Sequence, residues 1–251
     1  MTKTHNFKFT SKWLRVLALP RIPLIEDLTT KPVPPGSALF VEYDPASQLY
    51  NALSTIVAGW IKTGGNAEYY LTGQPPDDLR AQLRLLGLDT DLLENEDKLK
   101  IIDSYTVQLG QKSTEKYSYD SMKVADLSIQ YARDFMRLAP KPDVLVVSDN
   151  FSNLARFNEE KAWVEYALTR AIPGRRSAKR TAIRGIMYGV HSDWVYKQLE
   201  GAVDGVVDFK LQDVGTKIKN FIRVRNLRNV GFDSEWHPLK IAENFEVTLE
   251  K

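Results

Sequence analysis

Residues 36–50 combine the parts that hold nucleotide phosphates in many enzymes: a buried strand, a tight turn and the start of a helix. A working phosphate-binding loop needs glycines, so that backbone N–H groups can wrap the phosphates. It also needs a Lys for the β- and γ-phosphates and a Ser or Thr hydroxyl for Mg²⁺. The turn at residues 44–48 contains no glycine, and Leu49 and Tyr50 stand where the Lys and the Ser or Thr would be. The segment therefore predicts the scaffold of a phosphate-binding loop without its chemistry.

Asp149 is the second candidate for ligand chemistry. It follows the apolar run 144–147, which is typical of a fully buried parallel strand. Such a position lies at the carboxyl edge of the sheet, where α/β proteins bind ligands. The carboxylate could contact Mg²⁺ or a ligand, or it could accept a hydrogen bond from Ser47 or a backbone amide. We favour the second interpretation, because the partners that phosphate chemistry needs are missing.

A dense group of basic residues precedes the strand predicted at 181–188. Its members are Arg175, Arg176, Lys179 and Arg180. One interpretation is binding to the nucleic-acid backbone, and the other is a solvated loop that aids solubility. We favour the solvated loop, because the cluster contains no aromatic residue that could stack on bases.

The composition excludes several classes of site. The chain has 251 residues and no cysteine, which excludes disulfides, thiolate metal sites and cysteine nucleophiles. The three histidines lack metal-ligand spacing, so no metal site is predicted. A net charge of +2 is too small to indicate nucleic-acid binding by itself. No apolar run could span a membrane and no signal peptide is visible, so we expect a cytoplasmic protein.

The hydrophobic pattern alternates between strands and helices and then changes to strands alone. Strands are expected at 37–43, 67–72, 99–102, 144–147, 181–188, 205–211, 221–226 and 239–249. Helices are expected from Leu49, with Ser47 as its cap, from Pro76, at 124–138 and from Asn158. Residues 110–120 read as an exposed, mobile loop. The pattern predicts one α/β domain over 1–251, with a lead-in segment (1–36), an α/β core (37–204) and a C-terminal β-meander (205–251). The sheet should be mostly parallel, flanked by helices, with antiparallel C-terminal strands.

Several short motifs occur in a fixed order along the chain. They lie at 21–28, 34–37, 75–80, 85–89, 101–105, 146–150, 223–228 and 233–238. Their order resembles that of the KaiC-like branch of the RecA superfamily of ATPases, over nearly the whole length. The resemblance implies a RecA-like P-loop NTPase fold.

The departures from this family's pattern concern the residues that would carry its activity. Gly73 and Gln74 stand where the resemblance implies paired glutamates that polarise the attacking water. Asn226 replaces a Lys that would reach a neighbouring subunit's phosphates, while Arg228 remains as an intersubunit candidate. Among the residues that would act within the chain's own site, only Asp149 is kept, at the position that orients Mg²⁺. Phosphoryl transfer depends on positioning and electrostatic stabilisation, so hydrolysis is not expected.

The sequence thus predicts a non-hydrolysing KaiC- or RecA-like protein that acts as a regulatory or scaffolding binding protein. No catalytic residue is predicted, and ATP and Mg²⁺ are not expected as cofactors. The expected partner is a protein, either an active homologue or a second copy, and no membrane is expected. Two alternatives remain open: a nucleic-acid-binding accessory protein of DNA recombination or repair, and an atypical nucleotide-binding ATPase. In the last case the binding residues would be Asp44, Pro45, Ala46, Ser47, Gln48, Leu49, Tyr50 and Asp149.

Overall fold

The computed structural model describes residues 20–135 and 141–250. Most of the predicted lead-in segment and the end of the helix predicted at 124–138 therefore lie outside the described residues. No helix in the described ranges is long and apolar enough to cross a lipid bilayer.

A single sheet contains the ten strands of the described residues. They are Ala38–Tyr43 (β1), Asn66–Leu71 (β2), Leu99–Asp103 (β3), Tyr117–Ser118 (β4), Val144–Ser148 (β5), Thr181–Met187 (β6), Gly205–Val214 (β7), Lys217–Leu227 (β8), His237–Ile241 (β9) and Val247–Leu249 (β10). Their order in the sheet is β10-β9-β8-β7-β1-β6-β5-β2-β3-β4. All neighbours from β7 to β4 pair in parallel, and β8, β9 and β10 add antiparallel pairs. The predicted mostly parallel α/β fold is confirmed, although the antiparallel part begins at β8 and not at β7.

Helices cover both faces of this sheet. They are Leu49–Lys62 (α1), Pro76–Leu85 (α2), Thr90–Asn95 (α3), Val124–Phe135 (α4), Glu160–Tyr166 (α5), Ile172–Ser177 (α6) and Asp193–Ala202 (α7). A π-helical turn, Ala167–Ala171, joins α5 to α6, and short 3₁₀ turns occupy Glu26–Leu28, Thr106–Leu109 and Phe151–Arg156. Helices α3, α6 and α7 were not predicted from the sequence.

Strand β1 shows why the core has two layers. Leu39 and Val41 point into the cluster beneath α1 and α2, whereas Ala38 and Phe40 point into the cluster beneath α4, α5 and α7. All six residues of the strand are buried. Because alternate side chains face opposite sides of a sheet, burial on both faces requires the continuous apolar run that the sequence contains.

The prediction for residues 110–120 was wrong in part. The segment includes the two-residue strand β4, which pairs with β3. Glu115 also accepts a hydrogen bond from Arg80 Nη2 at 2.6 Å. Arg80 bonds Glu94 as well, at 2.8 Å. The segment is therefore attached to the sheet and to α2.

Candidate functional site

The candidate nucleotide site lies at the carboxyl ends of β1, β2 and β5. The loop 44–48 follows β1, Gly73 follows β2 after Thr72, and Asp149 follows β5. Strand β5 pairs with β2, and β6 separates β5 from β1. The topology thus brings the sequence-predicted loop and Asp149 to one edge of the sheet.

Three consecutive N–H groups of the loop donate hydrogen bonds within the protein. The amide of Ala46 donates to Asp44 Oδ1 at 3.1 Å, and that of Ser47 donates to the Asp44 carbonyl at 2.8 Å. The amide of Gln48 donates to Asn220 Oδ1 at 3.0 Å, from strand β8. A phosphate-binding loop presents such N–H groups to its ligand. In this chain an acidic side chain and a neighbouring strand use them instead.

The start of α1 also differs from the prediction at Ser47. The helix begins at Leu49, and Gln48 precedes it without a capping side-chain bond. The Ser47 hydroxyl is buried without a hydrogen-bond partner in the described residues, so its predicted capping role was wrong. Leu49, at the position of the expected Lys, is 1% exposed and belongs to the apolar core.

Tyr50 extends from α1 towards the turn after β2. A Cβ atom built on Gly73 would overlap the Tyr50 hydroxyl and lie 2.9 Å from its Cζ. Burial, together with the nearby charge of Asp149, raises the pKa of Tyr50 well above its usual range. The same two causes act on Tyr43 and Tyr69, whose pKa values are also raised. Neutral phenols of three tyrosines therefore surround Asp149.

Asp149 is fully buried and is held by the end of the neighbouring strand. Its Oδ1 accepts hydrogen bonds from the Thr72 amide (2.9 Å), the Thr72 hydroxyl (3.0 Å) and the Gly73 amide (3.1 Å). Its Oδ2 is buried with no partner in the described residues. Burial raises the pKa of this carboxyl to about 6, although the hydrogen bonds oppose the shift. The geometry matches the amide-bonded interpretation, and Ser47 is not among the donors.

Gln74 occupies the position of an expected catalytic glutamate. It is buried, and its Oε1 accepts a hydrogen bond from Gln82 Nε2 at 2.9 Å. Gln82 in turn accepts from the Ser54 hydroxyl at 2.7 Å. An amide has no basic function at neutral pH, and this one connects α1, α2 and the turn after β2.

The residues of this edge do not fit Mg²⁺ and a triphosphate. The N–H groups of Ala46 and Gln48 donate within the protein, Tyr50 fills the space beside Gly73, and one oxygen of Asp149 already accepts three hydrogen bonds. In the ranges that the structure describes, no group of three or more His, Asp or Glu residues is arranged to hold a metal ion.

The C-terminal candidates lie on β8 and just after it. Asn226 and Arg228 are both exposed. Arg228 donates from Nη2 to the Gly201 carbonyl at 2.8 Å. Its predicted role between subunits is not tested by this contact and stays a prediction.

The four basic residues do not form one charged surface. Arg175 and Arg180 are 4% and 2% exposed, and both pair with Glu68 on β2. Arg176 pairs with Asp204 at 2.9 Å, and Lys179 is exposed. The prediction of a solvated loop was wrong here, because residues 172–177 form α6. The pairing with Glu68 could not be predicted from the local sequence, because Glu68 lies more than 100 residues away.

Two surface features beside this edge were not predicted from the sequence. A groove of about 320 Å³ lies between β1, β7 and β8. At its side the Trp236 ring contacts two cations: Lys210 Nζ lies 4.0 Å from the ring centre, and the Arg223 guanidinium carbon lies 4.4 Å from it. Three apolar residues between β6 and the first turn of α7 are exposed: Tyr188 (66%), Val190 (52%) and Trp194 (45%).

Comparisons with known proteins agree with this fold. The family model of the ATPase KaiC matches residues 52–250, a range that begins after the loop 44–48. A crystal structure of a KaiC-like protein from the hyperthermophilic archaeon Pyrococcus horikoshii superposes with a TM-score of 0.71 and 17% sequence identity. The superposition covers 93% of this chain and 98% of the archaeal chain. No curated protein matches the sequence significantly.

Proposed function

Because this chain belongs to the KaiC family of ATPases but carries a phosphate loop without free donors, we propose that it does not hydrolyse ATP and acts by binding other proteins. The role is regulatory or structural: the ATPase frame is kept as a rigid scaffold that presents a binding surface. The partner is an active homologue or a second copy of this chain.

The observation that carries this proposal is the internal use of the loop amides. The Gln48 amide donates to Asn220, and the Ala46 and Ser47 amides donate to Asp44. A triphosphate would have to displace these bonds and approach the Asp44 carboxylate. Both requirements cost free energy, because the existing hydrogen bonds have to break and like charges repel.

The exposed apolar side chains beside the loop support a protein partner. Tyr188, Val190 and Trp194 follow β6, and the Tyr188 amide donates to the Tyr43 carbonyl at the end of β1 at 2.8 Å. Large apolar residues that are grouped on a surface often mark binding sites for other proteins. These three side chains lie beside the loop 44–48, so both features are on the same edge of the sheet.

The nucleic-acid alternative has less support. It requires guanidinium groups that can reach phosphates, but Arg175 and Arg180 are buried against Glu68. Only Arg176 and Lys179 of the cluster remain exposed.

Two measurements test the proposal. Phosphate release from ATP should stay at background for the wild-type protein, whereas enzyme-dependent release that disappears in Asp149→Asn would contradict it. Sedimentation velocity, with the chain alone and with an active KaiC-type ATPase, should reveal association. Trp194→Ser should weaken this association. Ile129→Ser is the matched control, because Ile129 is 57% exposed on α4, outside the proposed surface.

A further inference from the structure

A separate cavity of about 60 Å³ lies beneath α4, α5 and α6, on the sheet face opposite α1. Its floor consists of Tyr70, Ser148 and Arg184, which are neighbours in register on β2, β5 and β6. Its other walls include Leu127 and Tyr131 of α4, together with the side chains of Tyr119, Met122, Tyr166 and Arg175. None of these residues belongs to the loop 44–48.

Arg184 is the unusual group in this cavity. It is 3% exposed, and its Nη2 donates to the Ala171 carbonyl at 2.9 Å. Its Nη1 is buried and has no hydrogen-bond partner among the residues that the structure describes. A buried guanidinium N–H without an acceptor costs free energy, so an acceptor in the cavity would stabilise the protein.

The charges around the cavity are not balanced. Arg175 and Arg180 share the single carboxylate of Glu68. Arg184 has no ion pair among the described residues, and none of the described residues that line the cavity is Asp or Glu. Burial, with the repulsion of Arg175, lowers the pKa of Arg184 to about 10, so the group is still a cation at neutral pH. Buried charges are normally paired, and here an anion would complete the pairing.

Four tyrosines line the same cavity, and the hydroxyl of one of them, Tyr70, already accepts a hydrogen bond from Arg175. Burial raises the pKa of Tyr70, Tyr119, Tyr131 and Tyr166, so each phenol keeps its proton near neutral pH. Phenol O–H and guanidinium N–H groups are the donors that bind an oxyanion.

The π-helical turn carries or adjoins two residues of the cavity wall, Ala171 and Tyr166. It begins after Tyr166 and ends at Ala171, whose carbonyl accepts the bond from Arg184. Single π-turns within α-helices occur frequently at functional sites. The turn thereby fixes one end of the guanidinium of Arg184, a residue that lines the cavity.

We propose that this cavity binds a short-chain carboxylate, whose head group pairs with Arg184 and whose alkyl end contacts Met122 and Leu127. The volume corresponds to about four to six water-sized groups, which suits an acid of two to four carbon atoms. Inorganic phosphate fits less well, because its oxygens would need donors on all sides and part of the wall is aliphatic. Water alone would accept from Nη1 but would not balance the charge.

The test titrates the full chain with sodium formate, acetate, butyrate and phosphate at constant ionic strength, with sodium chloride as reference. The midpoint of thermal unfolding should rise saturably with acetate or butyrate, and near-ultraviolet circular dichroism of the tyrosines should change with the same midpoint. In Arg184→Gln the affinity should fall at least about tenfold, as expected for loss of a charge-assisted hydrogen bond. Arg170→Gln is the matched control, because Arg170 is exposed on the π-turn, and its affinity should be unchanged.

Three outcomes would overturn the proposal. They are no saturable response to any carboxylate, an equal response in Arg184→Gln, or phosphate binding more tightly than every carboxylate. If Arg184→Gln does not fold, Tyr166→Phe replaces it. That variant removes one donor at the cavity wall, and an unchanged affinity in it would count against the proposal.

Discussion

Replacing Asp149 by Asn should change the pH dependence of stability. Asn keeps the shape of the side chain and an oxygen that can accept the bonds from Thr72 and Gly73, but it cannot ionise. Asp149 is fully buried, and burial raises its pKa to about 6 from an ordinary value of 3.8. The carboxyl is therefore easier to ionise in the unfolded chain than in the folded protein.

The sign and size of the effect follow from this difference. Below pH 3.8 both states hold the proton, and Asp149 adds no pH-dependent term. As the pH rises towards 6 the unfolded state loses the proton first, so the free energy of unfolding of the wild type falls. The full effect is about 3 kcal/mol, of which about 2 kcal/mol develops between pH 4 and pH 7. Above the folded pKa the effect is constant.

The assay is urea unfolding followed by tryptophan fluorescence, for wild type and Asp149→Asn over this pH range. The difference in free energy between the two proteins isolates Asp149, since other titrating groups are common to both. The variant should gain about 2 kcal/mol relative to the wild type as the pH rises from 4 to 7. The control, Asp213→Asn, removes a carboxylate from an exposed residue of β7 and should not reproduce this gain. A flat or falling difference for Asp149→Asn would refute the reasoning.

Two further substitutions test the packing at the nucleotide edge and the charge pairing of Glu68 on β2. Gly73→Ala should destabilise the protein by about 1–3 kcal/mol through overlap with the Tyr50 hydroxyl. Tyr50→Phe should relieve part of this cost in the double variant, as urea unfolding of all four proteins would reveal. Glu68→Gln should cost about 3–5 kcal/mol, because it removes the carboxylate with which both Arg175 and Arg180 pair. Thermal and urea unfolding measure that loss.

Each of these substitutions has a matched control. Gly201→Ala adds a Cβ in open space near the end of α7 and should be neutral or slightly stabilising. Glu243→Gln changes an exposed carboxylate and should alter stability by less than about 0.5 kcal/mol. Additive effects of Gly73→Ala and Tyr50→Phe would mean that the two side chains do not meet. An effect of Glu68→Gln as small as that of Glu243→Gln would mean that the buried pair contributes nothing.

The strands of the sheet could be predicted because burial on two faces leaves a strong local pattern. The runs 144–147 and 38–41 are continuously apolar, and both lie in central strands of the sheet. The residue types at 44–50 can also be compared directly with those that a phosphate-binding loop needs, because they stand at consecutive positions. That this loop binds no phosphate stays a prediction. The hydrogen bond from Gln48 to Asn220 could not be predicted, since it joins segments 172 residues apart.

The basic cluster was misread for a related reason. Arg175 and Arg180 look solvated in the sequence because no acidic residue lies near them, and Pro173 followed by Gly174 suggests a loop. In the fold the proline lies in the first turn of α6, where its missing N–H costs little. The carboxylate that neutralises the arginines comes from β2.

Helix α7 was missed because only two of its residues, Val195 and Leu199, are buried. So narrow an apolar stripe on a ten-residue helix gives a weak periodic signal.

A calorimetric titration of the purified protein with ATP and Mg²⁺ tests the central claim most directly. We predict no saturable heat at millimolar ATP, because the amides of Ala46, Ser47 and Gln48 are already bonded and Tyr50 fills the space beside Gly73. Saturable binding of one ATP per chain, lost in Asp149→Asn, would contradict the claim.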